Sequence, residues 1–260
     1  MARALQYRQR MNIGLYQSAS ALTALERWQD VVAQNITSSQ TTGYRKRTVN
    51  FSSQLSGELQ TSTQGRLRHE GDGQATVFPR VNTGINFVSG ETQPTRRELD
   101  VAIQGDGFFE VQMPDGSRAY TRSGEFGINA DRTLITSGGQ EVLTSGGSSI
   151  SLLPGGGPLI VNRDGTLFQG ETSLGKLSVQ RFSDPAKLTP IAGGYFTAGK
   201  NVEPEAMDQP ELMQGYLEGS NVTPLREMVD MVLISRAYEA NQKIISTVDQ
   251  TMQKTLDALG

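Results

Sequence analysis

The feature that most constrains this chain is a long run near its C-terminus without either helix-breaking residue. After Thr223 and Pro224, no further proline or glycine occurs before Gly260. Thr223 suits an N-cap, and Pro224 suits the first helical position, where its missing N–H costs nothing. A seam repeats through the run at Met231, Ile234, Tyr238, Asn241, Ile245, Val248, Met252, Thr255 and Leu259. A helix of about 35 residues spans roughly 50 Å at 1.5 Å per residue. Helices inside globular domains are usually far shorter. Length with a seam near 3.5 residues predicts a coiled coil or a packed helical array. The Met and Tyr residues of the seam are packing groups, and Asn241 suits the fixing of register or a subunit contact.

The N-terminal end repeats the pattern. From Leu15 to Ile36 a heptad places Leu15, Leu22, Gln29 and Ile36 at one position and Ser18, Leu25 and Val32 at the other. Five of these seven are apolar, which predicts an amphipathic helix. Gly43 supplies a stop or turn signal. Residues 1–10 are basic and lack an apolar run, and Met11 opens a cleaner pattern that makes it an alternative start.

Between the ends the chain reads as strand. FFEVQM, PDGS and RAYTRSG form a strand, turn and strand, with Pro114, Asp115 and Gly116 supplying the turn chemistry. Further turns fall at 129–131, Gly138-Gly139, Gly155 to Gly157 and Asp164-Gly165. Short strands at this spacing predict a barrel-like or sandwich-like β domain. The expected class is α+β: two long terminal helices pairing as a coiled-coil-like layer, with an inserted all-β domain. The expected segments are 1–48 helical, 49–84 an extended connector, 85–205 the β domain, 206–222 a return segment and 223–260 the second helix. Apolar seams in a chain that is only 36% hydrophobic ask for partners, the other terminal helix and neighbouring subunits.

Composition removes whole classes of chemistry. Cysteine is absent, which excludes disulfides, thiolate catalysis, zinc–cysteine sites and cysteine-ligated clusters. His69 is the single histidine, so no site can draw two from this chain. The net charge of −3 argues against a duplex-binding protein. No stretch approaches the roughly 20 apolar residues of a membrane span.

Local motifs read blandly. Gly105-Asp106-Gly107 precedes a strand, not a helix N-terminus, so it is a turn and not a phosphate cradle. One of its glycines is expected to hold positive φ or a close backbone approach. Phe108 and Phe109 should point to opposite faces, one into the core and the other toward the connector or a neighbouring subunit. The Gly155–Gly157 run has no following Lys-Ser/Thr. His69-Glu70 lacks the second histidine of a zinc helix. Carboxylates are scattered without a marked acid/base pair. Arg45-Lys46-Arg47 reads as a solvated helix-end cluster or an inter-subunit charge contact. No catalytic residue, cofactor or metal is expected.

Three blocks carry a family resemblance. AQNITSSQTTGYRK (Ala33 to Lys46) resembles the A-N-N-[LI]-A-N-x-x-T-x-G-[FY]-[KR] motif of bacterial flagellar axial proteins. LDVAIQGDGFFEVQMPDGSRAYTRSGEF (Leu99 to Phe126) is similar to their central segment, and QGYLEGSNVTPLREMVDMVLISRAYEANQKIISTVDQ (Gln214 to Gln250) to their C-terminal one. The motif residues carried over are Asn35, Thr42, Gly43, Tyr44, Leu99, Asp100, Gly105, Gly107, Phe108, Phe109, Leu217, Glu218, Ser220, Asn221, Val222, Arg236, Tyr238 and Glu239. Gln34 stands where the family often has Asn, and Thr37-Ser38 replaces Ala-Asn.

The resemblance is to the basal-body rod proteins of the FlgF and FlgG class, with the hook protein as a larger relative. It implies terminal helices paired in an inner tubular layer around a channel, with the β domain outside. It also implies export through the flagellar type III apparatus without signal cleavage, and assembly in the periplasm with copies of itself and other rod, hook and ring proteins. The stretch LEGSNVTPLREMVDM leans toward the proximal, FlgF-like member. The alternatives are a distal FlgG-like or hook-type protein and, from other classes, a secreted β-domain glycan hydrolase or a periplasmic binding domain.

Overall fold

The computed structural model describes residues 2–56, 76–199 and 202–257, with side chains from Gln17 onward in the first helix. It divides the chain into two compact units. One comprises residues 1–36, 47–84 and 224–260; the other comprises 37–46 and 85–223. The architecture is α+β, with one long helix toward each end and strands between.

In the helical unit, helix α1 runs Ala2–Thr37 and helix α2 runs Pro224–Asp257. The second starts at the proline the sequence marks. The first starts well before Leu15, because Ala, Leu, Arg, Gln and Met are all good helix formers and one interior glycine, Gly14, costs only about 1 kcal/mol. Strands Arg47–Ser56 and Thr76–Ile85 form a two-stranded sheet, so the described parts of the expected connector are strand. His69 lies outside the described residues.

Leu25, Val32 and Ile234 form the buried centre of a small cluster, with Trp28, Ile36, Met231, Ala237 and Tyr238 packed around it. The helices therefore touch through the predicted seams. Trp28 also meets Phe51 of the first strand edge-on, with centroids 5.4 Å apart.

In the β unit, strand Phe108–Gln112 is the hub of a nine-stranded sheet. It pairs antiparallel with Arg118–Thr121 in the register Phe109↔Thr121 to Gln112↔Arg118, closing the predicted hairpin. The turn is held by Asp115, whose Oδ1 accepts from the N–H and hydroxyl of Ser117. A three-stranded sheet, Leu159–Val161, Thr166–Gln169 and Thr172–Lys176, stands beside it in the chain order. The return segment supplies strands as well: Glu211–Gln214 pairs with Val101–Gln104, and Tyr216–Glu218 with Thr92–Pro94.

Alternation along the hub strand separates two cores. Phe109 is fully buried in the main one, with Val111, Leu134, Val142, Leu167, Leu177 and Leu212. Phe108 enters the other, among Tyr120, Phe182, Leu188 and Phe196, with Phe87 edge-on at 6.0 Å. Both phenylalanines are thus core residues, and Phe108 meets Phe87, just past the expected connector.

Candidate functional site: the junction of the three motifs

The three blocks that carry the family resemblance converge in the β unit. Residues 37–46 lie against it as a short separate tract, and Gly43 brings its main chain close to it. Its N–H donates to the carbonyl of Glu218 at 2.8 Å. Its φ is +68°, and a Cβ there would sit 2.4 Å from the main-chain carbon of Arg122 and the nitrogen of Ser123. Only glycine satisfies both conditions. Thr42 and Ser123 share a hydroxyl–hydroxyl hydrogen bond of 2.8 Å on one side, and Tyr44 is buried on the other.

Arg45 is buried, which corrects the solvated reading of Arg45-Lys46-Arg47. Its Nη1 donates to Oε1 of Glu218, a residue 173 positions away that is itself 2% exposed. Glu218 also accepts from the N–H of Gly90 at 2.9 Å. A second buried guanidinium, Arg122, brings Nε within 3.0 Å of Glu218 Oε2; that contact is an ion pair whose angle is not a hydrogen bond's. One carboxylate therefore serves two cations.

The glycine turn completes the arrangement. Arg122 Nη1 donates to the carbonyl of Gly107 at 2.8 Å, and Nη2 donates to the carbonyl of Gly105 and to Ser89 Oγ. The Gly105-Asp106-Gly107 turn thus offers carbonyls to a cation, the reverse of a phosphate cradle. Gly107 has φ of +133°, which bears out the expectation of positive φ, and a Cβ there would lie 2.9 Å from the Val179 side chain. Burial pulls the Arg122 pKa down to about 10, against the opposing pull of Glu218; Arg45 lowers it further. The group stays charged at neutral pH.

Asn221 and Asn35 act as peptide mimics. Asn221 Oδ1 accepts from the Lys46 N–H at 2.6 Å, and its Nδ2 donates to the carbonyls of Asn86 and Val88 at 2.9 and 2.8 Å. In the helical unit, Asn35 is 1% exposed; its Nδ2 donates to the Arg47 carbonyl and to Oε2 of buried Glu227, each at 2.9 Å. Asp100 is buried beside Arg97, whose Nη2 stands 3.5 Å away. Leu99 is partly buried, Leu217 and Val222 are buried, and Ser220 accepts from the Val222 N–H at 3.3 Å.

On the helices, Ile234 is wholly buried, and Leu22, Ile36, Met231, Tyr238, Asn241, Ile245, Val248 and Met252 are half-buried. Asn241 Nδ2 donates back to the Ala237 carbonyl at 2.9 Å, within its own helix. Arg236 and Glu239 are exposed, and the Leu15 side chain lies outside the described residues. Among the buried residues not singled out in the sequence are Ala24, Val31, Glu227, Arg122 and Gly124. Gly124 closes the run RAYTRSG, and a Cβ there would meet the Val101 carbonyl oxygen at 1.6 Å.

A second face of α2 is apolar and open. Leu225, Met228, Val229, Val232 and Leu233 follow the i, i+3, i+4, i+7, i+8 spacing of one helix side, and each is more than half exposed. Among the described residues no group of three or more acidic or histidine side chains is placed to hold a metal. No described helix is long and apolar enough to cross a membrane.

A β unit inserted between two seam-bearing helices, with its sequence motifs spent on joining chain segments, is the organisation that the resemblance to axial proteins implies. Residues 102–169 match the family described as "Flagellar hook protein FlgE/F/G D1 domain", and residues 213–258 match "Flagellar basal body rod FlgEFG protein C-terminal". The chain is 31% identical to the flagellar basal-body rod protein FlgF of Caulobacter vibrioides, over 96% of this chain and 99% of that one. It is 35% identical to the rod protein FlgG of Borreliella burgdorferi, over 92% and 95%. The chain belongs to the flagellar basal-body rod protein family.

Proposed function

We propose that the chain is a structural subunit of the flagellar basal-body rod, assembling with copies of itself into a helical tube that carries torque and surrounds the export channel. Subunits pass through the flagellar type III export apparatus without signal cleavage and assemble in the periplasm with other rod, hook and ring proteins. The helices pair along their seams as a coiled-coil-like layer.

The observation that supports this best is the double-sided character of α2. Its Ile234 side is covered within the chain, while the Leu225-to-Leu233 side presents five large apolar residues to solvent. Such a stripe on a lean chain is an assembly surface. The reading contains no catalytic step. Three buried carboxylates among the described residues are engaged by side chains, Glu218 by two arginines, Glu227 by Asn35, and Glu110 by Arg118, Ser178 and Gln180, while Asp100 has Arg97 at 3.5 Å and no hydrogen-bond partner. A hydrolase acid/base pair needs free carboxyls facing a cleft. The lean toward the FlgF-like member gains no support, since relatives of both names match at similar identity over nearly the whole chain.

The test is complementation of cells lacking this chain. A Val229→Asp/Val232→Asp double variant should be made at normal levels yet leave cells non-motile, with basal bodies that lack a finished rod. Normal rods in cells carrying the double variant would overturn the reading.

A further inference from the structure

The chain passes between its two units at four places: after Ile36, Lys46, Gly84 and Thr223. Three of those passages begin or end within three residues of one side chain's hydrogen bonds. Lys46 is the last residue of the first tract of the β unit. Asn86 and Val88 stand at the start of the second tract, and Asn221 stands two residues before its end. The Asn221 amide offers one strong acceptor and two donors. Its acceptor takes the Lys46 N–H at 2.6 Å, and its donors reach the Asn86 and Val88 carbonyls at 2.9 and 2.8 Å. The same three points are also linked by main chain: the Asn86 N–H donates to the Lys46 carbonyl at 2.8 Å, and the Asn221 N–H to the Tyr44 carbonyl at 3.4 Å.

We infer that Asn221 is a clamp that makes these three connections of the β unit open and close as one. The requirement is chemical. A carboxylate at this position keeps the acceptor but presents negative oxygen to two carbonyls. An aliphatic residue keeps neither function. A glutamine places the amide one methylene too far along. No other residue type of this size satisfies an N–H and two carbonyls from a single planar group. Glu218, three residues earlier, fixes Gly90 and Arg45 on the same tracts, so the clamp sits on an already rigid base. In a rod, load enters the β unit through its covalent connections. A shared clamp spreads that load over three strands of chain instead of peeling one. The clamp itself is an inference from the β unit's geometry and does not depend on the rod reading.

Amide hydrogen exchange in the full-length chain tests it, with Asn221→Asp as the informative variant. In Asn221→Asp the Lys46 N–H keeps an acceptor, and the Asn86 N–H keeps the Lys46 carbonyl, so a purely local role predicts unchanged protection at both. The clamp predicts that Lys46, Asn86 and Gly90 lose protection together, by tenfold or more and by a common factor. The buried reference amides of Leu143 and Leu177, bonded to Glu110 and Gly165, should hold theirs. Asn221→Ala should show the same grouped loss, larger in size. Protection unchanged at Lys46 and Asn86 in Asn221→Asp overturns the clamp. So does a loss shared equally by Leu143 and Leu177, which would make Asn221 a support of the whole unit. Neither result would touch the assembly of the chain, which rests on α2.

Discussion

Asn35 and Arg47 exchange a full pair of hydrogen bonds: the Asn35 side chain donates to the Arg47 carbonyl and accepts from the Arg47 N–H, both at 2.9 Å. A side chain near the end of α1 thereby pairs with the first strand of the helical unit as a neighbouring strand would. Its remaining donor goes to Glu227 of α2. One buried amide thus ties helix, strand and helix together. Asn35→Ala removes a partner from the part-buried N–H and C=O of Arg47 and from buried Glu227, where an unsatisfied buried group costs about 1–3 kcal/mol. The helical unit should melt earlier in far-ultraviolet circular dichroism, by an amount worth about 2 kcal/mol or more. An unchanged melt would show that water replaces the amide without penalty.

Glu218 is predicted to be worth more than either arginine it serves. Removing one partner of a buried ion pair typically costs about 3–5 kcal/mol, because the other charge is left unpaired. Glu218→Gln leaves two buried guanidiniums without an anion. Arg45→Met leaves one cation and one anion, still matched. Urea denaturation followed by near-ultraviolet signals of the β unit should therefore rank Glu218→Gln as the less stable variant, by about 1 kcal/mol or more. The reverse order would contradict the shared-carboxylate account.

The glycines of the junction separate conformation from contact. Gly105 has φ of +84° and open space where a Cβ would go, so Gly105→Ala should cost only the left-handed backbone, about 1–2 kcal/mol. Gly43→Ala meets immovable main chain as well, and should cost well beyond that. Gly107→Val combines the backbone penalty with the side chain of Val179, and should destabilise the β unit by more than Gly105→Ala. Thermal melts of the three full-length variants give the ranking. Equal losses for Gly43→Ala and Gly105→Ala would mean the 2.4 Å approach carries no energy.

What the sequence disclosed and what it hid follow from range. The seam of α2 was legible because helix periodicity is local. From Tyr238 to Met252 the named positions Tyr238, Asn241, Ile245, Val248 and Met252 are the less exposed ones in the structure. The turn at Gly107 was legible because two glycines before paired aromatics leave few backbone choices. Arg45 was misread because its partner is 173 residues away, and nothing in Arg-Lys-Arg distinguishes a buried cation from a solvated one. The strand Arg47–Ser56 showed no clean alternation; both described residues at its centre, Phe51 and Ser52, are exposed, and a two-stranded ribbon has little core to impose a pattern. Arg122 was hidden for a further reason. Two of its partners, Gly105 and Gly107, offer main-chain carbonyls, which leave no trace in residue identity.

The central claim is that α2 assembles copies of this chain through its open apolar side. Sedimentation of the purified full-length protein under polymerising conditions, with circular dichroism on the same samples, tests it most directly. An exposed substitution changes monomer stability by about 0.5 kcal/mol or less, so Val229→Asp/Val232→Asp should leave the β-unit melt unchanged. The double variant should remain a monomer. The native chain and a Glu171→Gln control should form polymers and gain helicity, because a packed helix is more stable than a solvated one. Polymers of the double variant with native yield and native helicity would contradict the claim.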